Sequence, residues 1–228
     1  AALRIAGCGI AALLATAGSR LAAQAPTGLT VPYRLFTLDN GLTVILHRDT
    51  SVPVVSVNAW YRVGSANEKP GRTGFAHLFE HLMFEGSKHV KDGEFDGLLE
   101  AAGGSNNGTT TNDRTDYYED VPSNALELAL FLESDRMGYL LETMSPERVN
   151  GQRDVVKNEK RQQVDNQPYG KASEAIDALL FPPGHPYSWQ VIGSMDDLSA
   201  ASYADVVEFF KTYYAPGNAS LVVASDID

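Results

Sequence analysis

Two histidines and a glutamate lie close together in an otherwise apolar stretch of the chain, TGFAHLFEHLMFEGS at residues 73–87. In a helix each residue advances about 100° around the axis, so His77 and His81 would be about 40° apart. Glu80 would lie about 60° from His77 on the other side, so all three side chains leave one face within a single turn. A buried histidine with one hydrogen bond is the ordinary alternative, but a cation satisfies all three groups at once.

This spacing predicts a zinc site with a catalytic base. Two imidazoles at positions i and i+4 can bind one tetrahedral Zn²⁺, with Zn–N distances of about 2.0–2.1 Å. The glutamate lies beside the metal rather than on it, where a general base for an activated water belongs. The order H-x-x-E-H is the inverse of the H-E-x-x-H motif. We therefore expect His77 and His81 as ligands and Glu80 as the base.

A catalytic zinc site needs a third protein ligand and an open fourth position. The chain has one cysteine, Cys8, so the ligand should be His, Asp or Glu. Glu159 is favoured, because in a helix predicted over 146–166 it falls along one face with Val149 and Val156, and Val155 lies four residues before it. The other histidines, His47, His89 and His185, occupy a strand end, a lysine-rich turn and a proline-bounded loop. The residues alone leave two alternatives to Glu159 open, Glu133 and Glu174.

The first 25 residues have the pattern of a secretory signal. Arg4 precedes an apolar run, and small residues follow before Pro26. We expect an exported protein, periplasmic or secreted, with a signal at 1–25 and a mature domain at 26–228. No segment offers about 20 consecutive apolar residues, so no transmembrane span is predicted. Whether the signal is cleaved there or Cys8 is lipidated stays open.

Composition excludes some partners. The chain of 228 residues carries 29 acidic and 18 basic side chains, a formal charge of −11, and 43% hydrophobic residues. It has no basic run, so nucleic acid is not an expected partner. Strand patterns and helix patterns alternate irregularly, which predicts an α+β fold: a mixed, largely antiparallel sheet with helices packed on it. Asn40-Gly41 between two apolar runs predicts a hairpin.

The motif helix and the later run VVKNE at 155–159 together resemble the pitrilysin/insulinase family of inverted-motif zinc peptidases. The bacterial branch similar to mitochondrial processing peptidase resembles it most. The likeness extends from about Leu35 to Asp226 and includes NGTTTNDRTDYY at 107–118. It implies Zn²⁺ on His77, His81 and Glu159, a metallopeptidase domain, and a catalytic Glu80.

The resemblance also implies how a substrate is held. Asn107, Gly108, Thr109 and Thr110 would form an edge strand to which an extended peptide adds as one more strand. The ordinary alternative is a hairpin edge whose polar side chains prevent pairing with another strand. Two residues depart from the family pattern: Gln152 stands where a second glutamate is common, and Gly108 where alanine is common.

The likeness covers the family's N-terminal catalytic domain, so a second homologous domain or subunit is an expected partner and the chain alone could be inactive. The alternative function is a non-catalytic, peptide-binding subunit of a larger peptidase complex. A purely structural zinc would want four protein ligands. An S-ribosylhomocysteine lyase, which also uses H-x-x-E-H, would need a cysteine ligand. The natural substrate is not encoded in any motif.

Overall fold

The computed structural model describes residues 30–226, and the predicted signal at 1–25 with Cys8 lies outside the described residues. Six strands form one sheet: β1 Arg34–Thr37, β2 Thr43–Arg48, β3 Val54–Tyr61, β4 Ser105–Thr110, β5 Thr115–Pro122 and β6 Ala219–Ser225. Their order across the sheet is β1-β2-β6-β3-β5-β4. The β2–β6 pair is parallel and the other neighbouring pairs are antiparallel. The predicted mixed, largely antiparallel sheet is confirmed.

Within residues 30–226 the chain forms seven α-helices: α1 Phe75–Leu82, α2 Glu94–Ala101, α3 Leu126–Tyr139, α4 Pro146–Lys160, α5 Ala172–Leu180, α6 Met195–Ala200 and α7 Tyr203–Tyr213. None of these described helices is long and apolar enough to cross a membrane. The short helix α6 was not predicted from the sequence. α5 buries none of its residues, which sets it apart from the helices that build the core.

One face of the sheet carries the core. Along β3 the side chains alternate, and the buried set is Val55, Val57, Ala59 and Tyr61. Val54 and Trp60, which alternate with this set, are exposed on the opposite face. Helices α1, α4 and α7 pack over one part of the buried face, and α2 and α3 pack over the other. The fold is therefore α+β, as predicted.

The hairpin predicted at Asn40-Gly41 joins β1 to β2. Gly41 has a φ of +90°, a left-handed conformation that glycine adopts without strain. The Asn40 side chain accepts a hydrogen bond from the backbone N–H of Leu42 at 3.1 Å. Turn chemistry and apolar flanks together were sufficient to predict this connection.

Three predictions about the helices need correction. The motif helix was expected over residues 73–86, but it spans Phe75–Leu82 and so contains the whole H-x-x-E-H motif and little beyond it. The helix expected over 146–166 ends at Lys160 and is followed by one π-helical turn over Arg161–Asp165. Val155, which lies four residues before Glu159, is 47% exposed and gives the predicted apolar face no support. Val149 and Val156 are the buried valines, because α4 lies at the surface and buries a stripe too narrow for adjacent positions.

Arg136 of α3 lies completely buried between two buried glutamates. Its Nη2 donates to Glu119 Oε1 at 2.8 Å, and its Nε donates to Glu133 Oε2 at 3.1 Å. Burial and the charge of Glu133 raise the pKa of Glu119 to about 10, while the guanidinium of Arg136 lowers it. Three aromatic rings face the guanidinium, with centroids 4.5–5.3 Å from Cζ: Phe84, Phe95 and Tyr117.

Arg136→Met should lower the free energy of unfolding by about 3–5 kcal/mol, because it leaves a buried carboxylate without its cation. Urea denaturation at pH 7 measures the change. Arg161→Met is the matched control: Arg161 is exposed and bonds to the Asn158 side chain, and its loss should cost less than about 0.5 kcal/mol. A cost below about 1 kcal/mol for Arg136→Met would show that the buried charges are not coupled.

Candidate metal centre

The start of α1 is fixed by close backbone contacts. Gly74 precedes the helix with a φ of +88°. Gly193 approaches so closely that a Cβ on it would lie 2.5 Å from the Gly74 Cα. The buried Glu68 carboxylate accepts hydrogen bonds from the N–H groups of Gly74 and Ala76 at 3.0 and 2.8 Å. These contacts set the first turn, and with it the direction in which His77 leaves the helix.

Most of α1 is buried, and the two histidines remain on the side that faces α4. The buried residues are Phe75, Ala76, Leu78, Phe79 and Leu82. The side chains of His77 and His81 are 13% and 24% exposed. Glu159, in the last turn of α4, places its Oε2 3.7 Å from His77 Nε2 and 3.3 Å from His81 Nε2. Helices α1 and α4 thus bring three candidate metal-ligand atoms to one place.

The spacing and chemistry of these donors fit a zinc ion. The three ligand atoms lie within 4.8 Å of one another. Ligands at about 2.0–2.1 Å from a tetrahedral centre are about 3.3 Å apart, close to the distances of Glu159 Oε2 from the two histidine nitrogens. Glu159 Oε2 is buried and has no hydrogen-bond partner among the described residues. A buried, unpaired carboxylate oxygen beside two imidazoles needs a cation to compensate it.

His77 is in the protonation state that metal binding requires. Burial, with a smaller contribution from the charge of His81, lowers the pKa of His77 from 6.5 to about 4. The imidazole is therefore neutral at neutral pH, and a nitrogen lone pair is available without release of a proton.

Glu80 lies next to the three candidate metal ligands, but its carboxylate is hydrogen-bonded to β4 and not to them. The Thr110 hydroxyl donates to Glu80 Oε2 at 2.5 Å. Burial raises the pKa of Glu80, while the Thr110 hydrogen bond and the charge of His81 lower it. A carboxyl with a raised pKa, beside a metal site, has the properties of a general base.

The four predicted substrate residues divide between the two faces of β4. Gly108 and Thr110 face α1, and a Cβ on Gly108 would lie 3.0 Å from Glu80 Cγ. Asn107 and Thr109 alternate with them and face the other way. β4 is the last strand of the sheet, so one of its backbone edges has no neighbouring strand among the described residues.

The remaining candidates for a third ligand lie elsewhere in the described residues. Glu133 is bonded to Arg136, and Glu174 is exposed on α5. His89 is bonded through Nδ1 to Asp135 at 2.5 Å. Of the alternatives that the sequence left open, none joins the cluster in residues 30–226.

A family model described as Insulinase (Peptidase family M16) matches residues 43–181. This span includes α1, β4 and Glu159. The chain belongs to this insulinase family. The family prediction made from the motifs is thereby confirmed.

The relatives of this insulinase-family chain include zinc proteases. It is 34% identical to the zinc protease PqqE of Helicobacter pylori over 219 residues, which are 95% of the chain and 48% of that protein. Mitochondrial-processing peptidase subunit beta of Blastocladiella emersonii is 27% identical over 203 residues, 88% of the chain and 42% of that subunit. The crystal structure of a protease from Helicobacter pylori has a TM-score of 0.83 at 34% identity, covering 87% of the chain and 47% of that structure. The chain spans about half the length of these relatives.

Gln152, one of the two departures from the expected family pattern, connects the middle of α4 to the segment that follows α1. Its Nε2 donates to Glu85 Oε1, and Arg148 donates to the Glu85 backbone carbonyl. Glu85 follows the end of α1, while Gln152 and Arg148 belong to α4. An amide at position 152 can donate to this carboxylate, whereas a glutamate there would repel it.

The metal-free chain should lose stability as the pH falls from about 6.5 to about 4. Unfolded His77 binds a proton near its ordinary pKa of 6.5, and folded His77 binds one only near 4. The full difference corresponds to about 3 kcal/mol at pH 4. Urea denaturation with a chelator at pH 7, 5.5 and 4 measures it. His77→Gln should show a flatter pH dependence by that amount, and an unchanged dependence would contradict the prediction.

Gln152→Glu should destabilise the chain by about 1 kcal/mol at pH 8, because it places a second carboxylate beside Glu85. Burial and the charge of Asp92 already raise the pKa of Glu85, so the loss should shrink at pH 5 as a proton is taken up. Thermal denaturation at both pH values measures this. Gln163→Glu, at an exposed position of the following turn, is the control. Equal effects of both variants would rule out the repulsion.

Proposed function

We propose that the chain is the zinc-binding, catalytic part of a metallopeptidase that hydrolyses extended peptides or unfolded segments. The observation that carries this proposal is the meeting of His77, His81 and Glu159 at one half-buried place, with Glu80 beside them and outside the donor set. Membership of the insulinase family, whose relatives include named zinc proteases, supports it.

In this proposal His77 and His81 hold zinc through nitrogen and Glu159 through a carboxylate oxygen. Zinc bound there would supply the positive charge that acidifies a nearby water and polarises a peptide carbonyl. Glu80 takes the proton of the attacking water and later gives it to the leaving amine. The raised pKa of Glu80 suits both steps, because a base of very low pKa would not retain the proton.

The substrate is proposed to add to the free edge of β4. Extended peptides can form main-chain hydrogen bonds with an exposed strand, which gives affinity with little demand on sequence. The edge at Asn107–Thr110 runs beside Glu80, so an added strand would bring a peptide bond near the base.

Activity is proposed to require a second homologous domain. The chain spans about half the length of its relatives, and residues that grip the substrate could come from the other half. The same observation supports the alternative, a peptide-binding subunit that hydrolyses nothing by itself. Export to the periplasm or outside the cell is part of the proposal, because residues 1–25 have the pattern of a signal.

Zinc content and turnover test the proposal together. The purified chain should hold about one zinc, and Glu159→Gln should lose it or bind it weakly. Glu80→Gln should keep the zinc and abolish hydrolysis of an unfolded fluorogenic peptide, because the base is gone while the ligands remain. Turnover is measured for the chain alone and for the chain joined to a second homologous domain. Glu174→Gln, exposed on α5, is the control for loss of one carboxylate.

Hydrolysis that survives Glu80→Gln would exclude Glu80 as the base. Zinc binding without hydrolysis in either arrangement would favour the non-catalytic subunit. A folded chain that takes up no zinc would overturn the proposed ligand set.

A further inference from the structure

We infer that Thr110 is a positioning residue for the proposed base, rather than a side chain that contacts the substrate. Its hydroxyl fixes one carboxylate oxygen of Glu80 and leaves the other to accept the proton. This inference rests on the proposed function, because it assigns a partner to Glu80 in that reaction.

The pleat of β4 directs Thr110 away from the substrate. Residues two apart on a strand face the same side, so Gly108 and Thr110 share the side that faces α1. Their antiparallel partners on β5, Tyr117 and Thr115, are both buried, which confirms that this side points inward. A peptide added to the edge of β4 would contact its backbone, while the Thr110 hydroxyl remains committed to Glu80.

The hydrogen-bond pattern around Thr110 gives the bond a direction. A carboxylate can only accept, so the single Thr110 hydroxyl proton points to Glu80 Oε2. Behind it, Thr115 Oγ1 lies 3.0 Å from the Val63 carbonyl and 3.4 Å from Thr110 Oγ1. Thr115 is buried and hydrogen-bonded to that carbonyl, so its hydroxyl restrains Thr110 on the side away from Glu80.

The backbone of Gly108 packs against the aliphatic part of the Glu80 side chain. A Cβ at this position would lie 3.0 Å from Glu80 Cγ, 3.2 Å from Phe84 Cε2 and 3.3 Å from Tyr117 Cδ1. The stem of Glu80 therefore packs against bare backbone. With Oε2 held by Thr110 and the stem held by Gly108, the free oxygen of Glu80 has a defined position, which proton transfer requires.

Thr110→Val removes the hydroxyl and keeps the shape, and it tests the inference by kinetics. We expect kcat to fall about tenfold or more with KM changed less than about twofold, because the lost bond orients the base and not the substrate. Thr110→Ser should restore most of kcat. Zinc content should stay at the wild-type value in both variants. Thr212→Val, which removes a hydroxyl bonded within α7, is the control.

A rise in KM at unchanged kcat would assign Thr110 to substrate binding and overturn the inference. Loss of zinc in a folded Thr110→Val chain would also overturn it, since it would place the residue in the metal site.

A second measurement needs no turnover and separates this inference from the proposed function. In the whole chain labelled with ¹³C at glutamate Cδ, the Glu80 signal is assigned by its absence in Glu80→Gln. It should change in Thr110→Val and stay close to the wild-type value in Thr110→Ser and Thr212→Val. In wild type, the Thr110 hydroxyl proton should exchange slowly with water, which requires no variant to fold. An unchanged Glu80 signal, or fast hydroxyl exchange, would overturn the inference even if Glu80 proves to be the base.

Discussion

The site depends on the burial of α1 on all but one side. Five of the eight residues of this helix are buried in the core, so its polar side chains can leave only towards α4 and β4. The fold therefore gathers two imidazoles and two carboxyls at one half-buried place. The buried Glu159 oxygen without a hydrogen bond would be costly by itself, and it is explained when a cation is part of the folded state.

Three separate elements hold that arrangement in place. Glu68 and Gly193 fix the start of α1, and the Glu85–Gln152 pair connects its end to α4. Thr110 connects the middle of α1 to the edge strand. The contacts act before, within and just after a short helix, so its rotation and position are restrained along its whole length. The positions of the candidate ligands are therefore set by residues that are not themselves candidate ligands.

Much of this could be predicted from sequence, where the signal is local or strongly periodic. The i and i+4 spacing of His77 and His81 defines one helix face, and Asn40-Gly41 defines a turn. Glu159 is 78 residues after His81, and the residues alone could not separate it from Glu133, because both are carboxylates on helices. The two carboxylates differ in their tertiary contacts: Glu133 accepts a hydrogen bond from Arg136, whereas Glu159 lies beside two imidazoles. Glu68, Glu85 and the bond from Thr110 to Glu80 were missed, since each pairs distant elements and leaves no local pattern.

The order of the strands has a consequence for how the chain acquires this site. β6, built from residues 219–225, lies in the middle of the sheet, between β2 and β3. The platform beneath α1 and α4 therefore stays split until almost the whole described chain has left the ribosome. Pairings between such distant segments form slowly, and unpaired strand edges are open to aggregation meanwhile. His77, His81 and Glu159 are consequently brought together only late in synthesis, long after the two histidines themselves have been added to the nascent chain.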